Sequence, residues 1–456
     1  MTPAPRLQVK DVRVRRRAIP LRMPFRFGAV TMNSMDVLAL RIEAEMDGGG
    51  RVIGESGSVL SPAWFDRRAD VTYERKEQGL LLSVSLAAQA ALRLEPATGF
   101  EIHQAVESCS REGVEELRAP LLVASFGPGL IDAAITDAVC RGERVSLHQA
   151  IAGDLLGRGH VLGLPESAAE QLEIRHTVGL LDPLRSEELE GADDALPQSL
   201  DQVLARYGHR WLKVKVSSDV ELMTERLGKI AAVVANSGLD VRYTMDGNES
   251  FKTPDSYEQF IRRVMGEPSL AGLWSATAWV EQPLERDVAL ERHASLDRAL
   301  SIKPVVLDES DASDEVMEEA LGLGYAGVSI KGCKGIYRAL HSASVAAERR
   351  SRGEAVILSS EDLTCQPVVG LHQDLSLVAA LGIGHTERNG HHYVRGLDAL
   401  PDDLVGRMLA SHGRMYSDHG GVVSVRIEEG SLDVRDLDRP PGDAFDEPGQ
   451  DLSLGP

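Results

Sequence analysis

The chain has 456 residues, 43% hydrophobic and 26% charged, so it is long enough for two or three domains, because one hydrophobic core stops growing at about 250–300 residues. Its 49 basic and 70 acidic residues give a formal net charge of -21, which argues against nucleic acid or an anionic membrane as a partner, since both need a basic patch. The four cysteines form no C-x-x-C pair, and no segment approaches the roughly 18 consecutive apolar residues of a membrane span. We therefore expect a cytoplasmic protein that binds a small ligand locally.

The first third of the chain predicts an α+β unit, which we assign to residues 1–135. Apolar and polar residues alternate through MDVLALRIEAEM, and the DGGG sequence that follows turns the chain into a second strand. From about residue 85 to 150, apolar residues recur at helical spacing, as in GLIDAAITDAVC. The pattern favours a hairpin with one face exposed to water, followed by helices.

The middle of the chain, residues 136–400, alternates short apolar runs with longer amphipathic stretches. Eight such runs, each but the last followed by a helix-like segment, are typical of a parallel β/α barrel. A doubly wound open sheet is the alternative fold. The runs are LEIRHTVGL, WLKVKV, VRYTMDG, AWVEQP, PVVLDES, GVSIKG, AVILSSED and GIGHTERNG.

The C-terminal part separates into two segments. Residues 401–435 contain a helix-like stretch and then GGVVSVRIEEGSLDV, which predicts a hairpin. Residues 436–456 are acidic and rich in proline and glycine, so we expect them to be disordered.

Charged residues end five successive runs of the predicted barrel. They are Lys215, Asp246, Glu281, Asp308 and Lys331, separated by 31, 35, 27 and 23 residues. Each step is about one βα unit long, so the side chains are expected at one height around the carboxyl end of the barrel, where the active sites of such barrels lie. A single carboxylate at a strand end is more often a helix cap, but five in register are not explained by capping.

Three of these residues, Asp246, Glu281 and Asp308, predict a site for a hard divalent cation. Convergent carboxylate oxygens suit Mg²⁺, with Mn²⁺ as an alternative. Without a cation, the three carboxylates would repel one another and raise each other's pKa values.

Three lysines border the predicted metal site. Lys215 and Lys331 lie on the second and sixth runs, on opposite sides of the acidic strands, and are candidates for acid/base catalysis. Lys213 lies two residues before Lys215 on the same strand face, where its charge would depress the pKa of Lys215. The alternative is that Lys213 and Lys215 only form structural ion pairs with the carboxylates.

These motifs resemble the mandelate racemase and muconate lactonizing enzyme family of the enolase superfamily. The resemblance implies a modified (β/α)7β TIM-type barrel with an α+β capping domain built from residues 1–135 and the C-terminal segment 401–435. It also implies Mg²⁺, abstraction of the proton α to a carboxylate through an ene-diolate, and a homo-oligomer. The motifs are K-V-K (213–215), D-G-N (246–248), E-Q-P (281–283), D-E-S (308–310) and S-I-K-G-C-K-G (329–335).

The seventh run departs from the racemase-type subgroup, which ends this strand with a histidine. Here the run ends with Glu361 and Asp362, so the two-lysine arrangement of the lactonizing and dipeptide-epimerase subgroups fits better. The functions of Glu361 and Asp362 stay open, as does that of His385. We interpret His385 and its neighbours His391 and His392 as loop or packing residues rather than ligands.

By position in the family, further residues are candidates for the substrate site. Glu387, on the eighth run, would hydrogen-bond a substrate oxygen or donate a proton, with a structural salt bridge as the alternative. The capping segments MPFRFGAVT and GSVLSPAWFD would cover the barrel mouth. From them and from the strand ends we select as substrate-binding candidates Arg26, Phe27, Trp64, Asn248, Glu309 and Asp362.

Three functions are compatible with these residues. Two lysines on opposite faces of a substrate carbon favour a racemase, epimerase or cycloisomerase acting on a small carboxylate. The same residues could instead serve an acid-sugar or hydroxy-acid dehydratase. A non-catalytic metal and carboxylate binder is the third hypothesis, and it leaves the two lysines without a purpose.

Overall fold

The N-terminal region begins with an antiparallel sheet. The computed structural model describes residues 3–28, 30–189, 195–361 and 368–453. Strands β1 (Leu7–Phe27), β2 (Val30–Met46) and β3 (Gly50–Leu60) form a meander, and the alternating residues Leu38, Leu40 and Ile42 of β2 are buried, as the sequence predicts. The turn between β2 and β3 needs positive φ angles of 94° at Gly48 and 85° at Gly49.

A layer of helices packs on this sheet. Its last long helix, α5, approaches strand β3 so closely that a Cβ on Gly54 would lie 1.9 Å from the Ala134 carbonyl oxygen. Residues 121–143 are apolar and long enough to span a membrane. However, 89% of the apolar 18-residue stretch within them is buried inside the protein, as in a core helix. The helices are α1 (Pro62–Phe65), α2 (Tyr73–Arg93), α3 (Gly99–Glu116), α4 (Leu121–Ala124), α5 (Phe126–Glu143) and α6 (Leu147–Ala152).

The second region is a curled, mostly parallel sheet whose eight parallel strands are the eight apolar runs of the sequence. The strands pair in the order β10-β9-β8-β7-β6-β5-β4-β11, and the Ser360 hydroxyl at the end of β10 donates to the His385 carbonyl of β11 over 3.1 Å. The strands lie side by side in their chain order, and the order does not reverse within the sheet. This confirms the barrel and excludes the doubly wound alternative. The strands are β4 (Gln171–Val178), β5 (Trp211–Lys215), β6 (Arg242–Asp246), β7 (Thr277–Glu281), β8 (Val305–Leu307), β9 (Gly327–Ile330), β10 (Ile357–Ser360) and β11 (His385–Arg388).

Helices follow the barrel strands and carry local stop and start signals. Helix α9, for example, begins after the Thr253 side chain accepts from the Ser256 N–H, with Pro254 in its first turn. The helices are α7 (Leu200–Tyr207), α8 (Val220–Ser237), α9 (Pro254–Gly266), α10 (Ala271–Ala276), α11 (Arg286–Ala289), α12 (Ala294–Leu300), α13 (Val316–Leu323), α14 (Ile336–Ser351), α15 (Val369–Ala380), α16 (Gly390–Tyr393) and α17 (Asp402–Ser411).

The C-terminal segment is arranged differently from the sequence prediction. Strands β12 (Tyr416–His419) and β13 (Val422–Val425) form the hairpin, whereas β14 (Ser431–Asp433) pairs with barrel strand β4. The return to the N-terminal sheet is made later, by β15 (Gln450–Leu452), which pairs with β1. The predicted boundary between residues 135 and 136 falls inside helix α5.

We expected the acidic tail to be disordered, but residues 436–453 are ordered in the structure. Low hydrophobicity suggested disorder, but backbone pairing with β1 and one buried carboxylate order this segment. Glu447 accepts from the Val369 N–H over 2.9 Å and lies 3.3 Å from Arg17. Residues 454–456 lie outside the described residues.

Candidate active site

The carboxyl ends of three neighbouring barrel strands carry the first part of the site. Lys215 on β5, Asp246 on β6 and Glu281 on β7 are direct partners in the strand register. They therefore share one height, as their spacing predicts. All three are buried, with at most 5% of Lys215 exposed.

A cluster of carboxylates surrounds the ammonium group of Lys213 in the barrel. Its Nζ lies 2.8 Å from Glu281, 2.8 Å from Glu361, 2.7 Å from Glu387 and 3.0 Å from Asp246. Lys213 is fully buried, so these contacts replace water around its charge.

The group of acidic residues that could hold a metal ion is Asp246, Glu281 and Glu361. One oxygen from each lies within 4.8 Å of the others, and all three residues are buried. Our predicted third ligand, Asp308, is outside this group. Its carboxylate instead lies 2.8 Å from Lys331 and 3.0 Å from Lys334, and Lys331 also lies 3.0 Å from Glu361 of the cluster.

Gln282 fixes the backbone where strand β8 ends. Its side-chain oxygen accepts from the N–H of Asp308 over 2.9 Å and from that of Ser310 over 3.1 Å. The same residue has a φ of 29°, an unfavourable conformation for a non-glycine residue. Gln282 thus joins the ends of β7 and β8 and sets the position of Asp308.

The unpaired oxygens of the cluster fit a divalent cation. Oε2 of Glu281 has no hydrogen-bond partner among the described residues, although it is buried. Burial and the neighbouring charge of Glu361 raise the pKa of Glu281 well above its usual range. A hard cation such as Mg²⁺, which prefers carboxylate oxygens, would satisfy this oxygen and remove the repulsion.

The two candidate acid/base lysines are paired with carboxylates. Lys215 Nζ lies 2.6 Å from Asp246, and Lys331 Nζ lies 4.2 Å from the ring centre of Trp64. Burial lowers the pKa of Lys215, but the charges of Asp246, Glu387 and Glu361 together outweigh burial, and the pKa is raised. Lys213 does act to lower the pKa of Lys215, as predicted, yet it does not reverse the effect of the carboxylates.

A small cavity lies at the mouth of the barrel. Both Lys215 and Lys331 line it, so the structure brings the two lysines to one space. The other lining residues are Phe25, Phe27, Met32, Ser61, Trp64, Asn248, Glu361, Glu387 and Asn389. The wall from the N-terminal region is therefore largely apolar and aromatic.

The remaining substrate-binding candidates have different positions. Arg26 is exposed on the face of β1 opposite Phe25 and Phe27 and is not among the lining residues of the cavity, so its role in substrate binding stays a prediction. Glu309 is buried and accepts from the Asn248 amide over 3.0 Å, and burial and Asp308 raise its pKa to about 8. Asp362 lies outside the described residues.

Two buried residues of the site were not among the predicted ones. Glu361 directly follows strand β10, one βα unit after Lys331, and this is the same signal that identified the other residues at the strand ends. Arg175 on β4 donates to the Ser359 hydroxyl and the Ser360 carbonyl, both over 2.7 Å, and closes the barrel interior below the cluster. Arg175 does not end its strand, so the sequence signals it only through its inward position on β4.

The capping region is tied to the barrel mouth by one arginine. Arg286 donates to Glu249 over 2.8 and 2.7 Å, and to the carbonyls of Trp64 and Phe65, each over 2.9 Å. Glu249 is buried and follows the D-G-N motif directly. This contact holds the Trp64 ring over Lys331.

Known structures share this architecture. A dipeptide epimerase from Enterococcus faecalis V583, complexed with Mg and the dipeptide L-Leu-L-Tyr, has a TM-score of 0.62 at 18% identity, covering 95% of this chain and 100% of that one. The L-Ala-D/L-Glu epimerase from Bacillus subtilis gives 0.61 at 17% identity, over 92% of this chain and 97% of that one. An N-succinyl Arg/Lys racemase from Bacillus cereus ATCC 14579 gives 0.61 at 19% identity, over 85% and 89%.

Sequence comparison identifies the barrel. No curated protein sequence matches the chain significantly. The family described as enolase C-terminal domain-like (MR_MLE_C) matches residues 195–416, which contain strands β5 to β11 and therefore the whole carboxylate and lysine cluster. The barrel region of the chain, residues 195–416, is therefore an enolase C-terminal domain-like domain of the mandelate racemase and muconate lactonizing enzyme type.

Proposed function

We propose that the protein is a Mg²⁺-dependent isomerase that moves the α-proton of a small carboxylate substrate, as a racemase, epimerase or cycloisomerase does. The observation that carries this proposal is the presence of Lys215 and Lys331 in one cavity, from strands β5 and β9. Three strands separate β5 from β9, so the two ammonium groups approach a bound molecule from opposite sides. Deprotonation on one face and reprotonation on the other inverts a carbon centre.

The metal would be held by the cluster of Asp246, Glu281 and Glu361. Mg²⁺, or Mn²⁺ in its place, would bind the substrate carboxylate there and stabilise the negative charge that develops on proton removal. Lys213 keeps the side chains of Glu281, Glu361 and Glu387 together, and it is thus a positioning residue in this proposal.

Each lysine has a separate task. One of Lys215 and Lys331 must be neutral to accept the proton, while the other donates as an ammonium group. Glu387 lines the cavity and is held by Lys213 and by the Thr177 hydroxyl, so its carboxyl group can be aimed at a substrate oxygen. The salt-bridge alternative for Glu387 is present in the structure and is compatible with this role.

The cavity walls suggest the class of substrate. Phe25, Phe27, Met32 and Trp64 form an apolar side, and the two candidate catalytic lysines are the only cationic side chains among its described lining residues. We therefore propose a carboxylate with an apolar substituent, such as an N-acyl amino acid or a dipeptide with a hydrophobic side chain, rather than a second anionic group.

The test is α-proton exchange. A library of amino acids, dipeptides, N-acyl amino acids, hydroxy acids and acid sugars is incubated with the protein and Mg²⁺ in D₂O, and deuterium at the α-carbon is followed by mass spectrometry. We expect Mg²⁺-dependent exchange with inversion for an apolar member. No exchange with any carboxylate would support the binding protein instead, and a dehydrated keto product would indicate the dehydratase.

Single variants separate the two lysines. Lys215→Ala and Lys331→Ala should each abolish inversion, and each should retain exchange with only one enantiomer, opposite in the two variants. Lys229→Ala is the control, because its side chain is 61% exposed on helix α8 and, among the described residues, forms an ion pair with Glu225 alone. Equal loss of exchange with both enantiomers in both variants would refute a two-sided mechanism.

Two further properties are proposals from the sequence and the family. We propose a cytoplasmic location, which agrees with the free thiols of Cys140 and Cys333, and a homo-oligomer. Cell fractionation tests the location. Light scattering of the purified protein tests the oligomer, and a monomeric mass would refute it.

A further inference from the structure

A second cluster of potential ligands lies outside the barrel, on the other side of strand β4. His176 is on β4, His209 precedes β5, and His391 is in α16. Arg175 and Thr177 contact residues inside the barrel, so the intervening His176 points outward. One ring nitrogen from each histidine lies within 4.8 Å of the others, and all three residues are buried.

His209 has the least explained environment of the three. It is 0% exposed, and neither of its ring nitrogens makes a hydrogen bond with any described residue. Burial lowers its pKa, and a contact of one ring nitrogen with the Ile174 backbone opposes that lowering. At least one buried ring nitrogen is left without a partner, which is rare and costly, so this ring is expected to have a ligand.

The other two histidines already have the spacing of metal ligands. His176 Nδ1 and His391 Nε2 are 3.3 Å apart, where the two rings share a hydrogen bond that an ion would replace. Two imidazole nitrogens on a tetrahedral Zn²⁺, each at about 2.0–2.1 Å, would be about 3.3–3.4 Å apart. A carbonyl near the second nitrogen of His209 is the usual outer partner of a metal-bound imidazole.

The protonation state of the cluster also suits a metal. Burial lowers the pKa values of all three histidines, and the mutual influence of the rings lowers those of His176 and His391 further. Neutral imidazole is the form that binds metals. The buried carboxylate of Asp182 lies 3.9 Å from His392 beside this cluster, where it can compensate part of the added charge.

We propose that His176, His209 and His391 form a second metal site, specific for a borderline transition ion of the Zn²⁺ class and separate from the carboxylate site. Nitrogen ligands select such ions over Mg²⁺, which prefers oxygen. The rings of His176 and His209 are now stacked, with centres 4.9 Å apart, so ligation turns the His209 ring toward the other two. The ion would join β4, the entry to β5 and the segment after β11 behind the active site.

The test counts bound Zn²⁺ in the full-length protein. The protein is dialysed against Zn²⁺ in the presence of excess Mg²⁺, which occupies the carboxylate site, and the bound zinc is measured by plasma mass spectrometry. We expect one Zn²⁺ per chain in the wild type and in His341→Gln, a control outside the cluster. His209→Gln and His391→Gln should each lose that equivalent, with circular dichroism confirming that both variants fold.

Co²⁺ supplies a second readout that does not depend on activity. A site with three nitrogen ligands should give the intense visible absorption of four-coordinate Co²⁺ in the wild type and in Glu281→Gln, but not in His209→Gln. The same zinc content in wild type and both histidine variants would overturn the proposal, and so would loss of the Co²⁺ signal in Glu281→Gln alone.

Discussion

Replacing Lys213 with methionine removes the cation at the centre of four buried carboxylates. Its Nζ contacts Asp246, Glu281, Glu361 and Glu387 at 2.7–3.0 Å, and none of these side chains is more than 2% exposed. Removal of one partner from a buried ion pair costs about 3–5 kcal/mol, since the remaining charge is left uncompensated. In the absence of metal, Lys213→Met should therefore lower the free energy of unfolding by at least about 3 kcal/mol.

Mg²⁺ should restore part of this loss, because it binds oxygens of the same carboxylates. A ligand at 100 times its dissociation constant adds about 2.7 kcal/mol to stability. We expect Mg²⁺ to raise the urea midpoint of Lys213→Met more than that of the wild type. Lys229→Met is the matched control, since exposed pairs contribute at most about 1 kcal/mol. A metal-free Lys213→Met protein within 1 kcal/mol of the wild type would refute this electrostatic account.

Three further predictions concern other parts of the molecule. Gly54→Ala should destabilise the protein by about 2 kcal/mol or more in urea unfolding, because the new Cβ would overlap a carbonyl of helix α5. Burial lowers the pKa of His103, but Asp132 together with Glu107 and Asp314 outweighs burial and raises it. The stability from these contacts is therefore complete below about pH 6.5 and is lost as the pH rises through the raised pKa. His103→Gln should flatten that part of the stability profile. Arg286→Lys should raise KM about tenfold, equivalent to about 1.4 kcal/mol, with little change in kcat, because it loosens the segment that carries Trp64. An unchanged KM would show that this contact does not position the substrate.

Strand positions could be predicted because their signals are local. Each barrel strand is a short apolar run, and its last residue is fixed at the barrel mouth by the chain direction. The register Lys215, Asp246, Glu281 follows from this alone. The same reasoning gives the position of Arg26, because alternation along β1 places it on the face opposite Phe25 and Phe27.

The ligand set was harder to predict, because it depends on which neighbours compete for each side chain. Asp308 ends its strand like Asp246 and Glu281, but Lys331 and Lys334 both reach its carboxylate. Lys334 follows β9 in a tight turn, and nothing in the order of the strands gives the direction of its side chain. The acidic tail shows the same limit, since its order depends on contacts made some 430 residues away along the chain.

Lys213 shows how alternation and burial combine to separate two lysines on one strand. Both point into the barrel, but Lys213 lies one layer deeper than Lys215 and is enclosed by carboxylates, whereas Lys215 lines the cavity. Depth decides what each charge can do, because a group without access to the cavity cannot exchange a proton with a bound molecule. In the proposed mechanism, Lys213 would therefore act only through its neighbours, by holding Glu281, Glu361 and Glu387 in place, while proton transfer would be left to Lys215 and Lys331.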